Sequence, residues 1–291
     1  MTRTQRLSQL ISRLFRLLGE LPLLPTLILM FVLIIPALAP NLIAPHGPIE
    51  RNVPMRLQPP VFAGGSSVYP LGTDQLGRCV LSRIIHGASV SLRVAISGIL
   101  IGGVIGTTLG IIAGYYRGWV DAVLMRLVET TMSVPLILLG LVFAMALGPS
   151  FEAIILVVVL VLWSYYARQI RGEVLSIRER GFVDRARVAG ASDLRIMIRH
   201  IFPNVVNTLI VLATLQVAVV IIMESTLSFL GLGLPRPYPA WGLMVADGRT
   251  LIVSAWWIAF FPGLAIMLTV MALNILGDWL RDKLDPRLRQ I

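Results

Sequence analysis

Two carboxylates stand inside otherwise apolar runs, Glu129 and Glu224. An ionisable group away from water is costly and marks a candidate pathway, relay or ion pair. Glu129 follows Arg126 by three residues, so it either pairs with that arginine on one helical face or serves in gating. Glu224 is followed by Ser225, Thr226 and Ser228. This polar group, Ser228 included, either lines a pathway through the membrane or hydrogen-bonds a partner subunit. Pro135 and Pro262 interrupt apolar runs too; each removes a backbone donor, and the resulting bend either hinges or simply shapes a bundle.

Other chemistries are missing from the sequence. The single cysteine, Cys79, rules out an intrachain disulfide, and His46, His86 and His200 have no metal-ligand spacing, so no metal site is expected. No Ser/His/Asp cluster, His-Glu-x-x-His run or plausible carboxylate pair suggests an enzyme. A P-loop needs Gly-Lys followed by Ser or Thr. The one lysine, Lys283, lies between Asp282 and Leu284. The chain is therefore expected to bind no ATP and no other cofactor; any ATP and Mg belong to partner chains.

The elements that position these residues are membrane helices. Hydrophobic residues make up 56% of the 291-residue chain and charged ones 14%, with a mean hydropathy of +0.83. A water-soluble chain carries nearer a quarter charged residues. About 20 apolar residues cross the hydrocarbon core, which gives six expected spans: Leu21–Ala44, Val94–Tyr115, Leu127–Leu147, Phe151–Ala167, Val205–Leu234 and Leu251–Leu276. Five is the rival count, because the fourth is short. The expected class is all-α and polytopic. Placing both termini in the cytoplasm puts 18 basic residues in inside segments and 7 in outside ones, as the positive-inside rule requires. The net charge of +10 then faces anionic lipid or a cytoplasmic partner and does not call for nucleic acid. The first apolar run is too long for a cleaved signal. Ahead of it, Leu7, Leu10, Ile11, Leu14, Phe15 and Leu18 alternate with arginines, as in an interfacial amphipathic helix or the ragged start of the first span.

Gly98, Gly102, Gly106, Gly110 and Gly114 recur every fourth residue. Small residues on one face let helix backbones approach closely in lipid, so the second span belongs inside a bundle. The largest inside segment, residues 168–203, carries 8 arginines against Glu173, Glu179, Asp184 and Asp193. Gly190 breaks it, Ser192 is placed to cap a second short helix, and Pro203 marks the start of the fifth span. Val183, Ala186 and Val188 before the glycine, and Leu194, Met197 and Ile198 after it, give each short helix an apolar side. The result is either a knuckle that protrudes toward a soluble motor or a solvated loop resting on its own bundle.

The stretch from Phe182 to Asn204 resembles the Glu-Ala-Ala loop of ABC importer permeases. Asp184, Arg185, Ala186, Gly190 and Pro203 fall in register, and Ala191 lies within the loop. Asp184 stands where that family has Glu, and Arg185 where it has the first Ala. Further blocks are similar to the C-type permease subunits of dipeptide, oligopeptide and nickel importers: Pro70–Arg78, Tyr166–Gly172, Leu175–Arg180, Glu224–Gly233 and Leu276–Arg289. Cys79 replaces the usual Asp after the first of these. The resemblance implies a type I (MetI-like) fold, with a transmembrane domain over residues 89–278. Residues 1–88 would hold the amphipathic helix, first span and external loop, and residues 279–291 a cytoplasmic tail. It further implies a homologous second permease, two ATPase subunits seated on the Asp184–Pro203 loop, and an extracytoplasmic binding protein, which Asp74 and Arg78 either contact or leave alone while pinning their own loop. An ion-gradient transporter is the alternative, although it calls for inverted repeats that the two halves do not display.

Overall fold

The computed structural model describes residues 22–284, so the amphipathic segment expected before the first span lies outside the described residues. The described chain is a bundle of helices: α1 (Leu23–Leu38), α2 (Val80–Tyr116), α3 (Gly118–Ser133), α4 (Leu136–Leu147), α5 (Phe151–Arg178), α6 (Gly181–Val188), α7 (Asp193–Phe229), α8 (Trp241–Gly248) and α9 (Trp257–Leu284). Among the described residues, α2, α5, α7 and α9 are long and apolar enough to cross a bilayer, and α3 with α4 forms a bent fifth candidate. The first expected span is the shorter α1. It stops at Ala39, whose backbone leaves the helical region ahead of Pro40, rather than running on to Ala44. The boundaries expected at 88/89 and 278/279 fall inside α2 and α9, which run through them unbroken.

The glycine stripe explains how the bundle is built. A methyl group at Gly98 would lie 2.4 Å from Val158, at Gly106 2.3 Å from the Trp163 carbonyl, and at Gly110 2.6 Å from the Ala167 carbonyl. α2 therefore lies directly against the α5 backbone, in the most extensive helix pairing of the described chain. Where lipid offers no hydrophobic drive, such close packing is what holds helices together.

Prolines account for the irregular turns. Pro135 does not bend an intact helix: Val134 is extended, as a residue before proline prefers, and Pro135 caps α4 from outside. α3 and α4 meet at 86°. Pro36 and Pro203 each follow a wide π turn, Met30–Ile34 and Met197–Ile201. A proline ring displaces the carbonyl four residues back, and a widened turn makes room for it. As a result α7 is one helix from Asp193 onward, not a short helix followed by a span starting near Pro203. Pro262 lies in the second turn of α9, which stays helical past it.

At the end of the bundle away from α6, residues 45–79 fold over α8 and the start of α9. Asp74 organises this cap. One of its oxygens accepts the Leu76 and Arg78 amides at 2.9 and 3.0 Å; the other accepts Arg78 Nε at 2.6 Å and lies 3.7 Å from Arg83 Nε. Arg83 also donates to the carbonyls of Pro48 and Pro237. All three side chains are buried. Asp74 and Arg78 thus pin their own loop, and burial removes them as a surface for the binding protein.

Gly106→Ala is expected to destabilise the detergent-solubilised chain by about 1–3 kcal/mol, because the added methyl meets backbone. Gly263→Ala, in open space within α9, should be neutral or stabilising by up to about 1 kcal/mol. Thermal unfolding of the two variants side by side checks the difference.

Candidate functional site

The knuckle is a short helix closed by a specific turn. Gly190 adopts φ +79°, the left-handed region open to glycine. This lets Ala191 N–H donate to the Ala186 carbonyl and Gly190 N–H to the Arg187 carbonyl, each at 3.0 Å. The two bonds make a Schellman motif, which satisfies carbonyls the end of α6 would otherwise leave bare. A side chain at Gly190 would meet nothing within 4 Å, so the demand for glycine here is conformational. Ser192 takes the N-cap position of α7 in extended backbone, but its hydroxyl makes no capping bond.

The knuckle has an inner and an outer side. Val183, Ile196, Ile201 and Val205 are buried against Ile170, Val174 and Ile177 of α5 and Ile111 of α2, with Ala186 and Ala191 packed alongside. The segment therefore rests on its own bundle along one side and is exposed along the other. Asp184, Arg185 and Pro203 are exposed, Val188 is 91% exposed and Leu194 63%. Arg187 pairs with Asp184 at 3.2 Å on this outer side. Water screens an exposed pair of this kind, so both groups can exchange partners at little cost. At the base, Tyr115 Oη donates to Asp193 Oδ1 at 2.6 Å, and Arg178 donates to the Tyr115 carbonyl. These bonds tie the ends of α2 and α5 to the first turn of α7.

Glu224 lies toward the far end of α7 and is fully buried, as is Ser228. Its oxygens accept from Ser91 Oγ of α2 at 3.0 Å and Ser228 Oγ at 2.8 Å. The Ser91 bond ties α2 to α7, and the Glu224 and Ser228 side chains are both enclosed within the chain. Glu129 is exposed on α3 and forms the expected pair with Arg126 at 3.3 Å. Pro135 lies between Glu129 and Glu224 in sequence, at the α3–α4 bend. The structure does not gather these candidates into one site.

Sequence reading missed Ser91, Tyr115, Arg83 and the Asp121–Arg171 fork, whose two bonds of 2.5 and 2.6 Å join α3 to α5. Arg83 and Arg171 carried a signal, as arginines on helices that continue into apolar spans. Ser91 carried none, because a lone serine is unremarkable until its partner is known.

A bundle of long apolar helices with an exposed amphipathic elbow has the architecture of an integral membrane protein. Residues 106–290 match the family model described as binding-protein-dependent transport system inner membrane component, and the chain belongs to that family. It is 41% identical over 263 residues to a protein named as a peptide transport system permease in Brucella suis, covering 90% of this chain and 87% of that one. It is 39% identical over 264 residues to the di/tripeptide transport system permease DppC of Pseudomonas aeruginosa, covering 90% and 87%. Against the glutathione transport system permease GsiD of Pectobacterium atrosepticum the identity is 42% over 226 residues, covering 78% and 75%. The fold is shared with the inward-facing MetNI methionine ABC transporter, with a TM-score of 0.59 at 16% identity over 70% of this chain and 96% of that one. The chain is an ABC importer permease of the inner membrane, as its sequence motifs implied, and the ion-gradient alternative gives way.

Glu224→Ala leaves two buried serine hydroxyls without their acceptor and is expected to cost about 1–3 kcal/mol. Glu224→Gln keeps an accepting oxygen for one of them and should cost less. Thermal unfolding of the purified variants ranks them; equal stability of the alanine variant and the parent would remove the tie.

Proposed function

We propose that this chain is one of two homologous permease subunits of an importer for di- or oligopeptides or a similar small solute. Two partner ATPase subunits bind ATP and Mg and drive it through the Asp184–Pro203 loop, and an extracytoplasmic binding protein delivers the cargo. Both termini face the cytoplasm, and the chain catalyses no covalent step itself. The peptide assignment rests on the names of the relatives, and the orientation on the excess of basic residues in the segments assigned inside.

The observation that carries the coupling role is the two-sided knuckle. Its outer side presents Asp184, Arg185 and Val188, while its inner side shares one apolar cluster with α2, α5 and α7. A motor that displaces α6 pushes on Ile196 and Ile201 and moves α7 as a unit, since packed interiors shift between discrete arrangements and do not deform smoothly. Asp184 and Arg185 are the docking charges. Glu129 and the Pro135 bend, on α3 and α4, are the gating candidates.

In the full assembly reconstituted in liposomes, Gly190→Val should lower ATP-dependent dipeptide uptake roughly tenfold while ATP hydrolysis and subunit assembly persist. Forcing a β-branched residue into the left-handed region costs about 1–2 kcal/mol. Gly190→Asn, better tolerated at such positions, should retain more uptake. Normal uptake in the valine variant would sink the coupling role; uptake that survives ATP depletion would sink the importer reading.

A further inference from the structure

The external cap carries an apolar patch at a definite height in the bundle. Residues 57–73 hold no charge, yet Val61, Phe62 and Val68 are exposed, Phe62 to 69%. The Phe62 ring lies 6.3 Å from that of Trp256 and 6.4 Å from that of Phe261. Trp256 also meets Trp257 and Phe260, and Phe260 is exposed.

Helix α9 supplies the ruler. From Trp257 to Gly277 it has no charged residue, and Asp278 is the first. At about 1.5 Å per residue this run reaches roughly 30 Å, the thickness of the hydrocarbon core. Trp256 and Trp257 therefore sit at one membrane–water boundary, where tryptophans concentrate. Phe62 packs on Trp256, so it is at the same height.

The cap is held there by its own bonds. Trp257 Nε1 donates to the Thr73 carbonyl at 3.1 Å. Thr73 N–H donates to the Gln58 carbonyl at 3.0 Å, and Val61 N–H to the Pro70 carbonyl at 3.2 Å. Gly65 turns the chain so tightly that a methyl group would lie 1.8 Å from the Pro59 carbonyl. The tip at Val61–Ala63 thus projects from a fixed base at the level of the α9 aromatics.

We propose that this tip is a membrane-dipping anchor: Val61 and Phe62 insert into the outer leaflet beside Trp256 and Phe260, and the partner of the patch is lipid. It adjoins the exposed Phe260 of α9, and residues 57 to 73 bring no charge that would oppose insertion. A protein partner on the aqueous side would instead meet the charged part of the cap, around Glu50 and Arg51, both exposed.

The test uses the full transporter assembly in lipid nanodiscs, with a nitroxide spin label on Phe62→Cys, on Val61→Cys as a second reporter, and on Glu50→Cys as the aqueous control; the native Cys79 is buried. Both tip labels should collide more often with oxygen, which partitions into lipid, than with a water-soluble nickel chelate, and the control should show the reverse. Tip labels accessible to the chelate would overturn the proposal in favour of a free aqueous loop. Immobile labels shielded from both reagents would overturn it in favour of a protein partner.

Discussion

Backbone-to-backbone packing of α2 on α5 is the constraint on which the other contacts depend. α2 is the spine of the chain. Its N-terminal end holds Arg83 within the Asp74 cap, and Gly87 gives room to Trp241 of α8. Ser91 reaches Glu224 of α7, the glycines from Gly98 to Gly114 seat α5, and Tyr115 meets Asp193 at the base of the knuckle. Each contact needs α2 at a distance from its neighbours that bulkier residues would forbid. One helix therefore sets the positions of the cap, the buried acid and the elbow together.

That arrangement gives the elbow a mechanical meaning. A loop joined to the bundle only by its ends would absorb a push by flexing. Here the inner side of α6 and the first turns of α7 belong to the same apolar cluster as α2 and α5. Displacement must repack that cluster or carry α7 with it. Because α7 continues to Phe229, the base of the elbow at Asp193 and the Glu224 tie lie on one helix.

Much of this was legible from residue types. The four-residue glycine period announced a packed helix, and Gly190 between two short apolar patterns announced the elbow. Both signals are local, and in both the backbone itself demands the residue. Asp74 and Arg78 were harder to read, since an acid and an arginine in an external loop look the same whether they face water or each other. Glu224 was legible as unusual, but its role was not: the hydroxyl that holds it, Ser91, is 133 positions away in sequence. The length of α7 was misjudged at Pro203, because proline normally ends or begins a helix, whereas here a widened turn accommodates its ring.

That wide turn, Met197–Ile201, has a consequence for how the two halves of α7 are phased. One residue added to a regular helix rotates everything beyond it by about 100°. A turn that holds an extra residue absorbs this rotation locally. The angular setting of the elbow against α5 and that of the Glu224 face against α2 are therefore separately adjustable along a single rod, so that the exposed side of the elbow is free to diverge without turning the membrane half out of register.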